Sequence, residues 1–184
     1  MRQQFLWSFV ALFVLSFATK VAAEPPSAIR SLTGVTAVRI MVEDFNSTMQ
    51  KTGLQKEQLY AIAQGVLIKD GIRVLSPQEA GQVPLFYIRL SSVFGGEGSN
   101  VPLSFYLLVQ LRQKAFLEKR EDLVAQHTIA TMEEKPLIVS TWENGTMVMV
   151  TRKELFFYVK QVLTNLVADF VRDQKEANRL HPQG

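Results

Sequence analysis

The C-terminal part of the chain carries the pattern that most constrains the fold, an apolar stripe at helical spacing over residues 152–178. The stripe consists of Leu155, Val159, Val162, Leu163, Leu166 and Phe170, widened by Phe156, Val167 and Val171. Thr151 and Glu154 have the spacing of a capping box, which predicts where the helix begins. Such a helix, about 40 Å long, must bury its apolar face against another layer. Residues 172–178 are polar and are expected to project beyond the core.

The middle of the chain predicts extended strands, because apolar residues alternate there with period two. This pattern occurs over residues 35–45, 85–94 and 103–117. The glycine-rich connection 95–100 predicts a hairpin between the last two. Asn144–Gly145 is typical of a type I′ turn, which predicts a further hairpin between strands 137–142 and 147–150. Residues 123–131 are an additional strand candidate.

A shorter helix is predicted after the first strand, from Gln55 as N-cap to Gly71 as the left-handed residue beyond its end. Leu54 and Leu59 have the spacing of a hydrophobic staple. A short strand over 72–75 follows.

The order of these elements predicts an α+β fold. The expected architecture is a two-layer sandwich with two helices on one face of a mixed, mainly antiparallel sheet, in the order β-α-β-β-β-β-α. We expect one domain over residues 33–178, preceded by an extended leader over 24–32 and followed by a disordered tail over 179–184.

The beginning of the chain has the three-part pattern of a secretory signal peptide. Arg2 precedes an apolar run over residues 5–17, and small residues lead to Ala23. The run is shorter than the roughly 20 residues that a spanning helix needs, and the chain contains no cysteine for lipid attachment. These features predict cleavage after Ala23, a periplasmic location and no stable membrane anchor.

Composition argues against several classes of function. Without residues 1–23 the chain has 18 basic and 17 acidic side chains, a balance that provides little attraction for nucleic acid. His127 and His181 are the only histidines, too few to suggest a metal site. The sequence contains no Gly-x-Ser-x-Gly motif and no cysteine nucleophile. We therefore expect a protein that is not an enzyme and has no cofactor or metal.

The candidate interaction surface combines apolar and loop residues. Tyr87, Tyr106 and Leu108 fall on strand faces opposite those assigned to the helices, and exposed apolar patches usually mark interaction sites. Two interpretations of this face stay open: it binds a partner or ligand, or a loop or later hairpin of the chain covers it. The remaining candidates are Gly96 and Gly98 in the hairpin loop and Arg172 at the projecting end of the last helix.

One segment resembles a known class of proteins. Gly53-Leu54, Leu59, Val66-Leu67 and Gly71-Ile72-Arg73-Val74 resemble the first helix and following strand of small bacterial envelope domains. Examples are the N-terminal domain of the Tol-system periplasmic protein and the lipoprotein that assists lipopolysaccharide assembly. The resemblance implies two helices on a mixed sheet and an adaptor role, and it transfers no binding residue.

The sequence thus predicts an exported, non-enzymatic, envelope-associated binding or adaptor domain with a protein partner in the envelope. The alternative is a periplasmic module that binds a small ligand or lipid in a cavity between sheet and helices.

Overall fold

The computed structural model describes residues 27–79, 83–95, 102–115 and 137–181. The helices are α1 (Ser27–Arg30), α2 (Ser47–Gln50), α3 (Lys56–Lys69) and α4 (Leu155–Leu180). The strands are β1 (Ala37–Val42), β2 (Arg73–Val74), β3 (Leu85–Gly95), β4 (Pro102–Ala115) and β5 (Leu137–Thr151). Single 3₁₀ turns occupy Pro77–Glu79 and Arg152–Glu154.

The five strands form one mixed sheet in the order β2-β1-β3-β4-β5. β1 runs parallel to both β2 and β3, whereas β3, β4 and β5 are successively antiparallel. The two long helices, α3 and α4, contact each other and pack on the same face of the sheet. The predicted α+β architecture and the order of its main elements are confirmed.

Aromatic rings join the two layers. Phe170 of α4 lies edge-on to Phe86 of β3 and to Trp142 of β5, with ring centroids 4.9 Å and 5.2 Å apart. Phe86, Phe105 and Phe170 are fully buried. The core therefore fills the space between the sheet and the helices.

The predicted ends of α3 are confirmed. The side chain of Gln58 accepts a hydrogen bond from the Gln55 backbone N–H at 3.0 Å, as part of a reciprocal capping box. At the other end, Gly71 has φ +86°, and the Ile72 N–H donates to the Leu67 carbonyl at 2.9 Å. This is the bond of a Schellman motif, and glycine is favoured there because its φ is positive.

The hairpin predicted at Asn144–Gly145 is wrong, because β5 continues through both residues. Asn144 pairs with Val109 and Gly145 with Leu108, within an antiparallel pairing to β4 that is regular from Trp142 to Thr151. Asn144 donates a side-chain hydrogen bond to Asp169 of α4 at 3.1 Å. Asn144 and Gly145 thus belong to the sheet, and Asn144 also binds the helix layer, so neither residue forms a turn.

The end of α4 also differs from the expectation, since its last turns do not project beyond the core. Gln174 is buried and donates a hydrogen bond to the Val35 carbonyl at 2.9 Å. One turn later, Asn178 accepts a hydrogen bond from the Gly34 N–H at 2.9 Å. Gln174 and Asn178, two of the polar residues that suggested a free end, thus bind the backbone that precedes β1. The helix continues to Leu180, so it includes the first two residues of the predicted disordered tail.

Two further expectations are corrected. Residues 27–30 of the predicted extended leader form α1, and Leu32 is fully buried in the core. Phe156, assigned to the buried stripe of α4, is 47% exposed. The predicted signal peptide, the hairpin loop with Gly96 and Gly98, and the strand candidate 123–131 lie outside the described residues.

Candidate interaction surface

One face of the sheet packs against the helices, and we call the opposite one the second face. Successive side chains of a strand point to opposite faces, so the residue positions along each strand show which side chains belong to it. On β4 the residues facing the helices are fully or almost fully buried: Leu103, Phe105, Leu107, Val109 and Leu111. The intervening residues form the second face: Ser104, Tyr106, Leu108, Gln110 and Arg112. Directly paired residues of adjacent strands point to the same side, so the register extends this face from β1 to β5.

One corner of the second face is apolar. Tyr106 pairs with Met147 and Ser104 with Met149, while Leu108 lies two positions along β4 on the same side. Met147 is 60% exposed and Met149 is 71% exposed, beside half-buried Tyr106 and Leu108. We call Tyr106, Leu108, Met147 and Met149 the apolar corner.

Gly145 lets the Tyr106 ring lie across β5. A Cβ atom added at Gly145 would be 2.7 Å from the Tyr106 hydroxyl oxygen and 3.1 Å from the Leu107 carbonyl oxygen. No side chain fits at that separation, so only glycine leaves room for the ring in this position. The glycine therefore shapes the apolar corner.

The rest of the second face carries a polar network across β3, β4 and β5, which also includes Glu43 immediately after β1. The Tyr87 hydroxyl donates to the Glu43 carboxylate, and the Arg112 guanidinium carbon lies 3.4 Å from the centroid of the Tyr87 ring. Arg112 also donates to the Gln110 side chain at 2.7 Å, and Gln110 donates to Glu143 at 2.8 Å. Burial, and next the hydrogen bond to Glu43, raise the pKa of the Tyr87 phenol. Tyr87 thus remains protonated and donates its hydroxyl hydrogen to the Glu43 side chain.

The structure brings three of the predicted site residues to one face. Tyr87, Tyr106 and Leu108 all lie on the second face, as the strand pattern predicted. Tyr87, however, is only 7% exposed and belongs to the polar network, whereas Tyr106 and Leu108 belong to the apolar corner. Gly96 and Gly98 lie outside the described residues.

Arg172 lies on the helix layer, apart from these residues. Its guanidinium donates to Asp169 at 2.7 Å and to Asp173 at 3.2 Å, and the two carboxylates raise its pKa. It lines an open groove of about 600 Å³ between the C-terminal ends of α3 and α4. Lys175 of this groove forms an ion pair with Asp70 of α3 at 2.6 Å. Opposite charges thus neutralise each other here.

Met147 and Met149 are not among the predicted residues of this surface, although period two continues through Glu143, Gly145, Met147 and Met149. The expected turn at Asn144–Gly145 obscured that signal. The sequence pattern also did not predict that three aromatic side chains in the first turn of α4 are exposed: Phe156, Phe157 and Tyr158.

No group of three or more His, Asp or Glu side chains within the described ranges is arranged to hold a metal ion. In the same part of the chain, no helix combines the length and the apolar character required to cross a bilayer.

Comparisons with known proteins identify no family. No protein family model matches the sequence, and no curated protein is significantly similar to it. Among solved structures, the chain is similar to a minor lipoprotein from Acinetobacter baumannii with 10% sequence identity. The match covers 80% of this chain and 95% of the lipoprotein, with a TM-score of 0.34. At that TM-score the likeness carries no inference about function.

Proposed function

We propose that this protein is an exported, non-enzymatic adaptor that binds a protein of the cell envelope through the apolar corner. The observation that carries the proposal is the exposure of Met147 and Met149 beside Tyr106 and Leu108 on one face of the sheet. The predicted signal peptide supports an extracytoplasmic location for this contact.

The chemistry of the corner suits a protein surface. Methionine side chains are flexible and polarizable, so they adapt to apolar partners of different shapes. Tyrosine provides a large contact area together with a polar hydroxyl, a combination enriched at interfaces. The polar network through Arg112, Gln110 and Glu143 borders the corner, as a polar rim borders the apolar centre of many interfaces.

The alternative, a ligand cavity between sheet and helices, has less support. The space between the two layers is occupied by fully buried side chains, among them Phe86, Phe105 and Phe170. The groove beside Arg172, between the C-terminal ends of α3 and α4, is open and lined by paired charges. Neither location has the apolar, enclosed character of a typical small-molecule site.

In-cell photocrosslinking tests the proposal. A photoreactive amino acid replaces Met147 in the chain expressed with its own N-terminus, and crosslinked products are identified by mass spectrometry. The control position is Ile68, which is 55% exposed on α3. We expect one envelope protein to be captured from position 147 and not from position 68.

A second variant tests whether the corner binds this partner. Met149→Asp introduces a charge beside position 147, and burying an unpaired charge is strongly unfavourable. We expect at least a fivefold lower crosslink yield from position 147, with an unchanged circular dichroism spectrum. Equal capture from positions 147 and 68, or an unchanged yield in the Met149→Asp variant, would overturn the proposal.

A further inference from the structure

A second exposed apolar surface lies on the helix layer, where α4 begins. Three consecutive residues there have aromatic side chains: Phe156 is 47% exposed, Phe157 is 64% exposed and Tyr158 is 36% exposed. The rings of Phe157 and Tyr158 are edge-to-face, with centroids 5.3 Å apart. We call these three residues the aromatic cluster.

The cluster is not part of the core-facing stripe of α4. Leu155 and Val159, on either side of it in sequence, are buried at 2% and 0% exposure. Successive residues of an α-helix point about 100° apart, so the three aromatic side chains spread over about 200° of the helix circumference. Exposed phenylalanine side chains on a helix are typical of segments that bind in a lipid interface.

The charge around the cluster indicates which lipid surface it suits. Within residues 151–161 there are three basic side chains, Arg152, Lys153 and Lys160, and one acidic side chain, Glu154. Lys153 and Lys160 are exposed. Basic residues next to a membrane are attracted by anionic headgroups. Tyrosine is enriched at the level of the headgroups, and phenylalanine occurs on the apolar face of interfacial helices.

We infer that the aromatic cluster docks the exported protein reversibly on a membrane surface that contains anionic phospholipid. The contact is peripheral: the rings enter the headgroup region while Lys153 and Lys160 lie over the anionic phosphates. This surface is separate from the apolar corner, which faces away from the helices, so the protein can bind lipid and a protein partner at the same time.

Vesicle cosedimentation tests the inference with the exported chain isolated from cells. The vesicles are phosphatidylcholine alone, or phosphatidylcholine partly replaced by phosphatidylglycerol. We expect binding to the anionic vesicles that weakens as salt is added, because salt screens the attraction. Phe157→Ser should lower the partition coefficient at least about tenfold, since it removes one phenylalanine side chain from the contact.

Two further variants separate this contact from other causes of binding. Met147→Ser, in the apolar corner, removes an equally exposed apolar side chain and should leave the partition coefficient unchanged. Lys153→Gln combined with Lys160→Gln should weaken binding to the anionic vesicles about 30-fold, since each lysine near the surface contributes roughly 1 kcal/mol. Circular dichroism and urea unfolding verify that the variants are folded.

A site-specific label gives an independent readout. Because the chain has no cysteine, Gln161→Cys can carry a single fluorophore one turn from Phe157, and brominated lipid should quench it in anionic vesicles. The inference is overturned if the wild-type chain does not bind these vesicles, if Phe157→Ser binds as strongly as the wild type, or if the label is not quenched. In-cell crosslinking from position 157 to a protein and not to lipid would also overturn it.

Discussion

At the residue scale, Gly145 shows how a turn-forming dipeptide can serve a different purpose. The chain has glycines with positive φ at positions 34, 53 and 71, where tight turns require them. Gly145 is instead in the middle of a strand, and the Tyr106 ring occupies the space where a side chain would be. The absence of a side chain at this position therefore matters more than conformational freedom.

Replacement of this glycine gives the first prediction. In Gly145→Ala the new methyl group meets the Tyr106 hydroxyl and the Leu107 carbonyl, so the ring must leave β5 or the strands must separate. We expect the free energy of unfolding to fall by about 1–3 kcal/mol, the usual cost of an overpacked site. Urea denaturation followed by far-UV circular dichroism measures the change.

The control is Gly65→Ala, where a Cβ meets nothing within 4 Å in the interior of α3. Alanine is the better helix former, so this variant should be more stable than the wild type by up to about 1 kcal/mol. A Gly145→Ala variant as stable as Gly65→Ala would show that the Tyr106 ring does not depend on the glycine.

At the element scale, the two ends of α4 show what local sequence can and cannot predict. Its beginning was predictable because a capping box is a contact between residues three apart, and Thr151 and Glu154 make it as expected. Its end was not, because Gln174 and Asn178 bind the backbone at residues 34 and 35, more than 130 positions away in sequence. A polar side chain that binds distant backbone looks in sequence like one that faces solvent.

The same distinction applies to the candidate surface. Alternation along β3 and β4 placed Tyr87, Tyr106 and Leu108 correctly on the second face, since period two is a local property. Which residues of β5 lie on the second face depends on how β5 pairs with β4. The expected turn at Asn144–Gly145 predicted a different pairing, so Met147 and Met149 were not assigned to this face. Phe156 was predicted to be buried, whereas it is 47% exposed. Helical periodicity predicts the direction in which a side chain points, but it does not predict how far the sheet extends beneath the helix.

The capping box leads to a prediction of pH dependence. Hydrogen bonds from the Thr151 side chain and backbone lower the pKa of Glu154 in the folded protein. A lowered pKa in the folded state adds stability above the pKa of the unfolded chain, about 4.3 for glutamate, and this stability is lost as the pH falls through the folded value. We expect Glu154→Gln to lose less stability than the wild type between pH 6 and pH 3, as measured by urea denaturation.

A companion variant is Thr151→Val, which keeps Glu154 and removes the hydroxyl that donates to its carboxylate. This variant should also lose less stability than the wild type between pH 6 and pH 3, because the native hydrogen bond that favours the ionised carboxylate is gone. If Glu154→Gln and the wild type lose the same stability on acidification, the capping carboxylate does not couple to folding.

At the scale of the whole molecule, the two proposed contact surfaces lie on opposite layers that share one core. The apolar corner belongs to β4 and β5, and the aromatic cluster belongs to α4, which follows β5 directly. Phe170 of α4 packs edge-on against Trp142 of β5, so the relative position of the two surfaces depends on this aromatic contact. The shared core therefore determines how the two surfaces are oriented relative to each other.

Truncation of Phe170 tests this view of the core. Phe170 is fully buried between Phe86 and Trp142, so Phe170→Ala leaves a cavity that joins β3, β5 and α4. We expect the free energy of unfolding to fall by about 3–5 kcal/mol. The matched control is Phe157→Ala, which removes the same atoms from a 64% exposed position and should change stability by no more than about 0.5 kcal/mol. Urea unfolding of both variants measures the difference, and a loss in Phe170→Ala as small as in the control would mean that these rings do not hold the helix layer on the sheet.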